Sequence, residues 1–209
     1  MAFLLVLIEY FCRMKMLSVT LLFFWFITNA CHSNTGQPKA GSPKVDTGKF
    51  YPITGFFKSQ VEYVDLRNYP IHKITVKDGK KDSAQVSKEQ FIALAKTFLD
   101  RSISSPGIKA LYKETVFHDL ATRSITLNYS PTDPNAEVQN IDVLLDEETN
   151  NVKRIFIRSV SLRGDTVFTE QCSWKAFKSF RINRELQTKN GYHSIELNFI
   201  NWNDTPWEQ

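Results

Sequence analysis

The chain has 209 residues, 26 of them Lys or Arg against 22 Asp or Glu, a net charge of +4. Those charges are mild and interspersed, which excludes the clustered basic surface that nucleic-acid binding requires. A content of 42% hydrophobic residues with 16 phenylalanines is enough for one packed domain.

Residues 14–31 read MKMLSVTLLFFWFITNAC. Lys15 supplies a basic start, Leu17 to Ile27 an unbroken apolar run, and Ala30 a small residue before Cys31. A helix over that run is about 16 Å long, half of a bilayer core of roughly 30 Å, so it suits an export signal better than a membrane span. Residues 1–13 hold a second apolar run, Met1 to Ile8, then Glu9 and Arg13. A signal seldom carries an acid ahead of its basic region, so Met14 is the expected start. The competing reading is a membrane helix from Ala2 to Ala30. Glu9, Arg13 and Lys15 oppose it, each at about 2.5–3.5 kcal/mol.

Ala30 and Cys31 resemble a bacterial lipobox, in which a small residue precedes a cysteine that is acylated and becomes the first residue. Thr28 departs from the usual Leu. Relaxed lipoboxes of this kind resemble those of Bacteroidota envelope lipoproteins, a group in which this chain would be an uncharacterised member. The resemblance implies an outer-membrane anchor at Cys31. It also implies a periplasm-facing domain, because no acidic run follows the cysteine. A general signal cut after Ala30 would instead release a soluble secreted or periplasmic protein. Residues 32–49, HSNTGQPKAGSPKVDTGK, carry no large apolar residue but Val45 and are expected to form a disordered tether.

Residues 50–209 are expected to form a single α+β domain. Ile53, Phe56, Phe57, Val61 and Val64 have helical spacing over 53–66. Asp78-Gly79 predicts a tight turn between Ile71–Lys77 and Asp82–Val86. Ser87 and Gln90 have capping-box spacing before a helix over 88–100, with Phe91, Leu94, Ala95 and Phe98 as its stripe and Ile92 and Leu99 widening it. Ser105-Pro106-Gly107 is expected to break the chain.

Beyond it the period becomes two. Strands are predicted at Tyr112–Leu120, around Ile125–Tyr129, around Ile141–Leu145, at Val152–Leu162, at Thr166–Ile182 and around Ile195–Phe199. Phe168, Cys172, Trp174, Ala176 and Phe180 should share one face, with Cys172 and Trp174 in the core. The expected architecture is a curved antiparallel meander of about six to eight strands with two helices on one face.

Chemical motifs are sparse. The single domain cysteine, Cys172, cannot form an internal disulfide. His72, His118 and His193 lack metal-ligand spacing, and no cofactor motif occurs, so neither metal nor cofactor is expected. Asp142, Asp146, Glu147 and Glu148 read as a solvated turn. Trp202 and Trp207 are candidate ligand or partner contacts, although the favoured reading is that Trp202 packs on the sheet and Trp207 frays. Asp82-Ser83-Ala84 and Asp165-Thr166-Val167 resemble the O-glycosylation site of exported Bacteroidota proteins, which makes Ser83 and Thr166 candidates at hairpin turns.

The expected function is a lipid-anchored, non-catalytic envelope protein that binds a partner or ligand in the periplasm. One alternative is a carrier holding a lipid or other hydrophobic ligand between sheet and helices. Another is an envelope hydrolase, which needs His118 or His193 to meet an acid, a serine or Cys172 in one cleft.

Overall fold

A computed structural model describes residues 50–204. Met14, Cys31, the tether and Trp207 lie outside the described residues. The domain is α+β. Helix α1 spans Ile53–Asp65, α2 Lys88–Asp100 and the short α3 Pro106–Lys109. The strands are β1 His72–Lys77, β2 Lys80–Gln85, β3 Tyr112–Asp119, β4 Ser124–Pro131 and β5 Val138–Asp146. They continue as β6 Val152–Arg163, β7 Thr166–Lys175, β8 Ser179–Thr188 and β9 His193–Asn201. All nine form one open antiparallel sheet in the order β2-β1-β9-β8-β7-β6-β5-β4-β3. No described helix is long and apolar enough to cross a membrane.

Local chemistry accounts for the elements that match expectation. Asp78 and Gly79 take φ of 48° and 81°, the paired positive values of a twist-matched hairpin turn. Ser87 and Gln90 form the complete capping box on α2. Ser105-Pro106-Gly107 does not simply break the chain. Ser105 accepts from Ile108 N and Pro106 opens α3, because a proline at the first helical position lacks only an N–H that has no helical partner.

The count of nine corrects the expected six to eight. Thr166–Ile182 is not one long strand but β7 and the start of β8, joined by a turn over Ala176–Lys178. Phe177 sits in that turn with φ of 60°. Its N–H donates to the buried Gln60 Oε1 at 2.7 Å, and its ring packs edge-on against Tyr63 at 4.8 Å. Helix α1 therefore holds a turn that no glycine or asparagine announces.

Trp174 is paired with Ile155 on one side and Phe180 on the other, so the three share the sheet face beneath the helices. Phe57 of α1 lies 5.4 Å from Trp174, and Phe98 of α2 lies 5.0 Å from it. Phe91 packs on Phe180 and Trp202. Phe57, Phe91, Phe98, Trp174 and Phe180 are all 0% exposed. Cys172 is buried as expected, whereas Ile92 is exposed and does not widen the stripe of α2. Just past α2, Arg101 reaches Glu170 and donates to Ser159 Oγ at 2.8 Å, while Arg184 donates to Glu170 at 2.7 Å. That buried carboxylate ties the end of α2 to the sheet with both oxygens engaged.

Candidate functional site

The opposite face of the sheet carries the alternate residues. On β6 these are Arg154, Phe156 and Arg158, on β7 Ser173 and Lys175, on β8 Ser179 and Arg181, and on β9 Phe199. The register sets Arg154 beside Lys175, Phe156 beside Ser173, Ser173 beside Arg181 and Arg181 beside Phe199. Directly opposed residues point the same way, so four strands deliver these groups to one place.

All of them but Arg158 line a pocket of about 270 Å³, completed by Asp204 just past β9. Phe199 is 3% exposed although no described helix covers this face, so it forms the floor. Phe156 stands at the rim. The Arg154 guanidinium lies 5.5 Å from the Phe156 ring, and that of Arg181 5.1 Å from Phe199. Each cation is thus carried beside an aromatic ring. At one end Lys175 Nζ donates to both Asp204 oxygens at 2.8 and 3.0 Å, and Ser179 Oγ donates to Asp204 at 2.9 Å.

Among the described residues that line the pocket, three are cations and one is a carboxylate. Part burial disfavours the charged form of Arg181, and the neighbouring Arg154 charge disfavours it further, with Asp204 opposing both. Burial raises the Asp204 pKa, but hydrogen bonds from Lys175 and Ser179 outweigh it and hold the carboxyl below its usual range. Among the described residues Arg154 has no carboxylate within ion-pair distance. A guanidinium presents a planar fork of donors that matches a carboxylate or phosphate.

A second hollow, about 550 Å³ and more open, lies on the same face beside Val76, Leu197, Ile195 and Asn183. It is chiefly apolar. Its carboxylate, Asp78, already accepts from Ser194 Oγ and Ile195 N, and it lacks convergent charge.

The described residues singled out from sequence do not line this pocket. Trp202 is 5% exposed and packs among Phe91, Trp174 and Phe180, so its ring offers no outward platform. Ser83 is exposed in the middle of β2 rather than in a turn, because the turn ends at Gly79. Thr166 opens β7 directly after the turn at Gly164 and is half-buried.

His72, His118 and His193 belong to β1, β3 and β9. His193 bonds Glu185 at 2.8 Å. Asp119 is occupied by Ala121 N and Thr122, and it points away from the adjacent His118 along the strand. Burial, with the nearby Glu170 charge, pushes the Cys172 thiol up to about 12, which leaves it protonated and unreactive. Asp146 is held down to about 2 by Lys153 and Thr149, and Glu148 pairs with Arg123. No group of three or more metal-ligating side chains converges among the described residues.

Sequence reasoning missed the pocket, although Arg-x-Phe-x-Arg at outward positions 154–158 was its available signal. Comparison of the chain with protein-family models, curated proteins and solved structures gives no match.

Proposed function

We propose that this chain is an envelope lipoprotein, anchored at Cys31 in the manner of Bacteroidota outer-membrane lipoproteins, whose domain faces the periplasm and binds an anionic ligand without catalysis. The observation that carries the binding reading is the convergence of Arg154, Arg181 and Lys175 beside two phenylalanine rings in one pocket. Guanidinium forks suit a carboxylate or phosphate, and the rings favour a ligand whose anionic group is joined to a flat or apolar portion.

The carrier alternative needs fillable space between sheet and helices. That space holds five large side chains at zero exposure, with Trp174 and Phe180 stacked at 4.7 Å, and so gives this reading no support. The hydrolase alternative needs a histidine beside an acid and a nucleophile in one cleft. His193 lines the second hollow near Asp78 and bonds Glu185, but that lining holds no serine, threonine or cysteine to serve as nucleophile.

Calorimetric titration of the full chain with phenyl phosphate tests the proposal, with inorganic phosphate and phenol as its two halves. Phenyl phosphate should bind, more weakly as salt rises. Arg154→Ala or Arg181→Ala should weaken binding about 10- to 150-fold, the span of one lost charge-assisted hydrogen bond. No binding, or binding indifferent to both substitutions, overturns the pocket assignment. The anchor is tested separately. Cys31→Ala should abolish lipid labelling and release the domain from the membrane, and continued labelling would refute it.

A further inference from the structure

The sheet ends in two strands, each with one edge unpaired among the described residues, and the edges differ. β2 reads KKDSAQ, every residue is exposed, and its lysines discourage another strand from docking. β3 reads YKETVFHD and is flanked by exposed apolar groups. Val116 is 52%, Phe117 65% and Leu120 79% exposed, with Ile108 and Leu111 exposed nearby. Exposed apolar groups along an edge, with charges of both signs rather than a run of lysines, favour strand pairing.

The ladder to β4 fixes which backbone groups are available. The Leu111 carbonyl accepts from Thr132 N at 2.8 Å, and the register runs from Tyr112 opposite Pro131 to Asp119 opposite Ser124. Bonded pairs alternate in an antiparallel ladder. Lys113, Thr115, Phe117 and Asp119 therefore bond to β4. Tyr112, Glu114, Val116 and His118 turn their N–H and C=O groups to the open edge.

We infer that β3 pairs antiparallel with β3 of a second copy, with Val116 opposite itself on the two-fold axis. This register sets outward-facing backbone against outward-facing backbone. It also places Glu114 opposite His118 and Lys113 opposite Asp119, and the symmetry makes each pair occur twice. Imidazole donates to a carboxylate whether neutral or protonated. Glu114 also meets the Tyr129 hydroxyl of its own chain, and a carboxylate has lone pairs enough for both. Neighbouring registers are worse. Centring on Glu114 opposes two carboxylates, and centring on Thr115 leaves Glu114 against Val116 and Lys113 against Phe117. The charge pattern of the strand is complementary to itself in the register that its outward backbone groups allow. The pairing makes one sheet continuous through two copies.

Sedimentation of the full chain in detergent, wild type against Glu114→Lys, His118→Glu and the double exchange, tests this register. His118→Glu places two carboxylates opposite one another twice, and Glu114→Lys removes the carboxylate that faces His118, so each should raise the dimer dissociation constant about 2- to 30-fold. The double exchange restores opposite charges and should return the constant toward wild type, which a merely unfolding substitution would not do. Val116→Cys, oxidised, should give a peptide joined to itself at residue 116, since about 5.5 Å between opposed Cα atoms suits a disulfide. A chain monomeric at every concentration, or an association indifferent to the exchanges and without the 116–116 link, overturns the inference.

Discussion

The two faces of the sheet are built from the same strands with opposite chemistry. Under the helices, Ile155, Trp174, Phe180 and Ile200 are buried to 0% exposure. On the other side their immediate neighbours Arg154, Ser173, Arg181 and Phe199 line a charged pocket. Aromatic burial on the first face supplies the stability that lets the second hold like charges together, an arrangement that does nothing for folding. The difference teaches that stability and recognition here alternate residue by residue along each strand.

The sharpest way to break this division is at Trp174. Trp174→Ala should lower unfolding free energy by about 3–5 kcal/mol, the range for emptying a large aromatic site. Chemical denaturation measures it. Phenyl phosphate affinity of the folded fraction should stay unchanged. An unchanged denaturation midpoint would mean that the helix-covered face does not carry the fold. Arg154→Ala is the converse. It should shift stability by less than about 1 kcal/mol while removing binding, since a half-exposed cation contributes little to folding. A loss as large as that of Trp174→Ala would dissolve the contrast.

The smallest effect sharpens it. The Asp204 carboxyl is more acidic in the folded state than unfolded, so its contribution is present above the ordinary carboxylate value and is lost as pH falls through its lowered folded value. Asp204→Asn should therefore cost under about 1 kcal/mol at neutral pH, and the difference should vanish once pH has fallen below that lowered folded value. The same change removes the carboxylate of Asp204 from the pocket, so phenyl phosphate should bind more tightly. Weaker binding would show that Asp204 positions Lys175 rather than opposing the anion.

Local signals in the sequence were sufficient for the helices and for most turns. Asp78-Gly79, Ser87 with Gln90, and the alternation through β4 to β6 each name their structure by a physical requirement. The turn at Ala176–Lys178 was hidden for an equally physical reason. Trp174 and Phe180 face each other across it with an even spacing, so the alternation of apolar residues runs through the turn unbroken. Phe177 adopts positive φ without being glycine, because Gln60 and Tyr63 hold it from another element. Missing that hairpin put Ser173 and Arg181 on one strand and hid their adjacency. The pocket depends on pairing register across four strands, which no local pattern encodes.

The pairing of β1 with β9 sets the order in which the domain can be completed. From β3 onward each strand pairs with the next, so the meander can grow as the chain is made. The β1–β2 hairpin cannot join it until the last strand exists, because His72 pairs with Asn201. Contacts so distant in sequence form slowly, since the intervening loop must close first. A chain still being synthesised, or threaded through a pore from its first residue, would carry that hairpin as an unattached fragment. Its clock for finishing is read at the other end, in the emergence of residues 193–201.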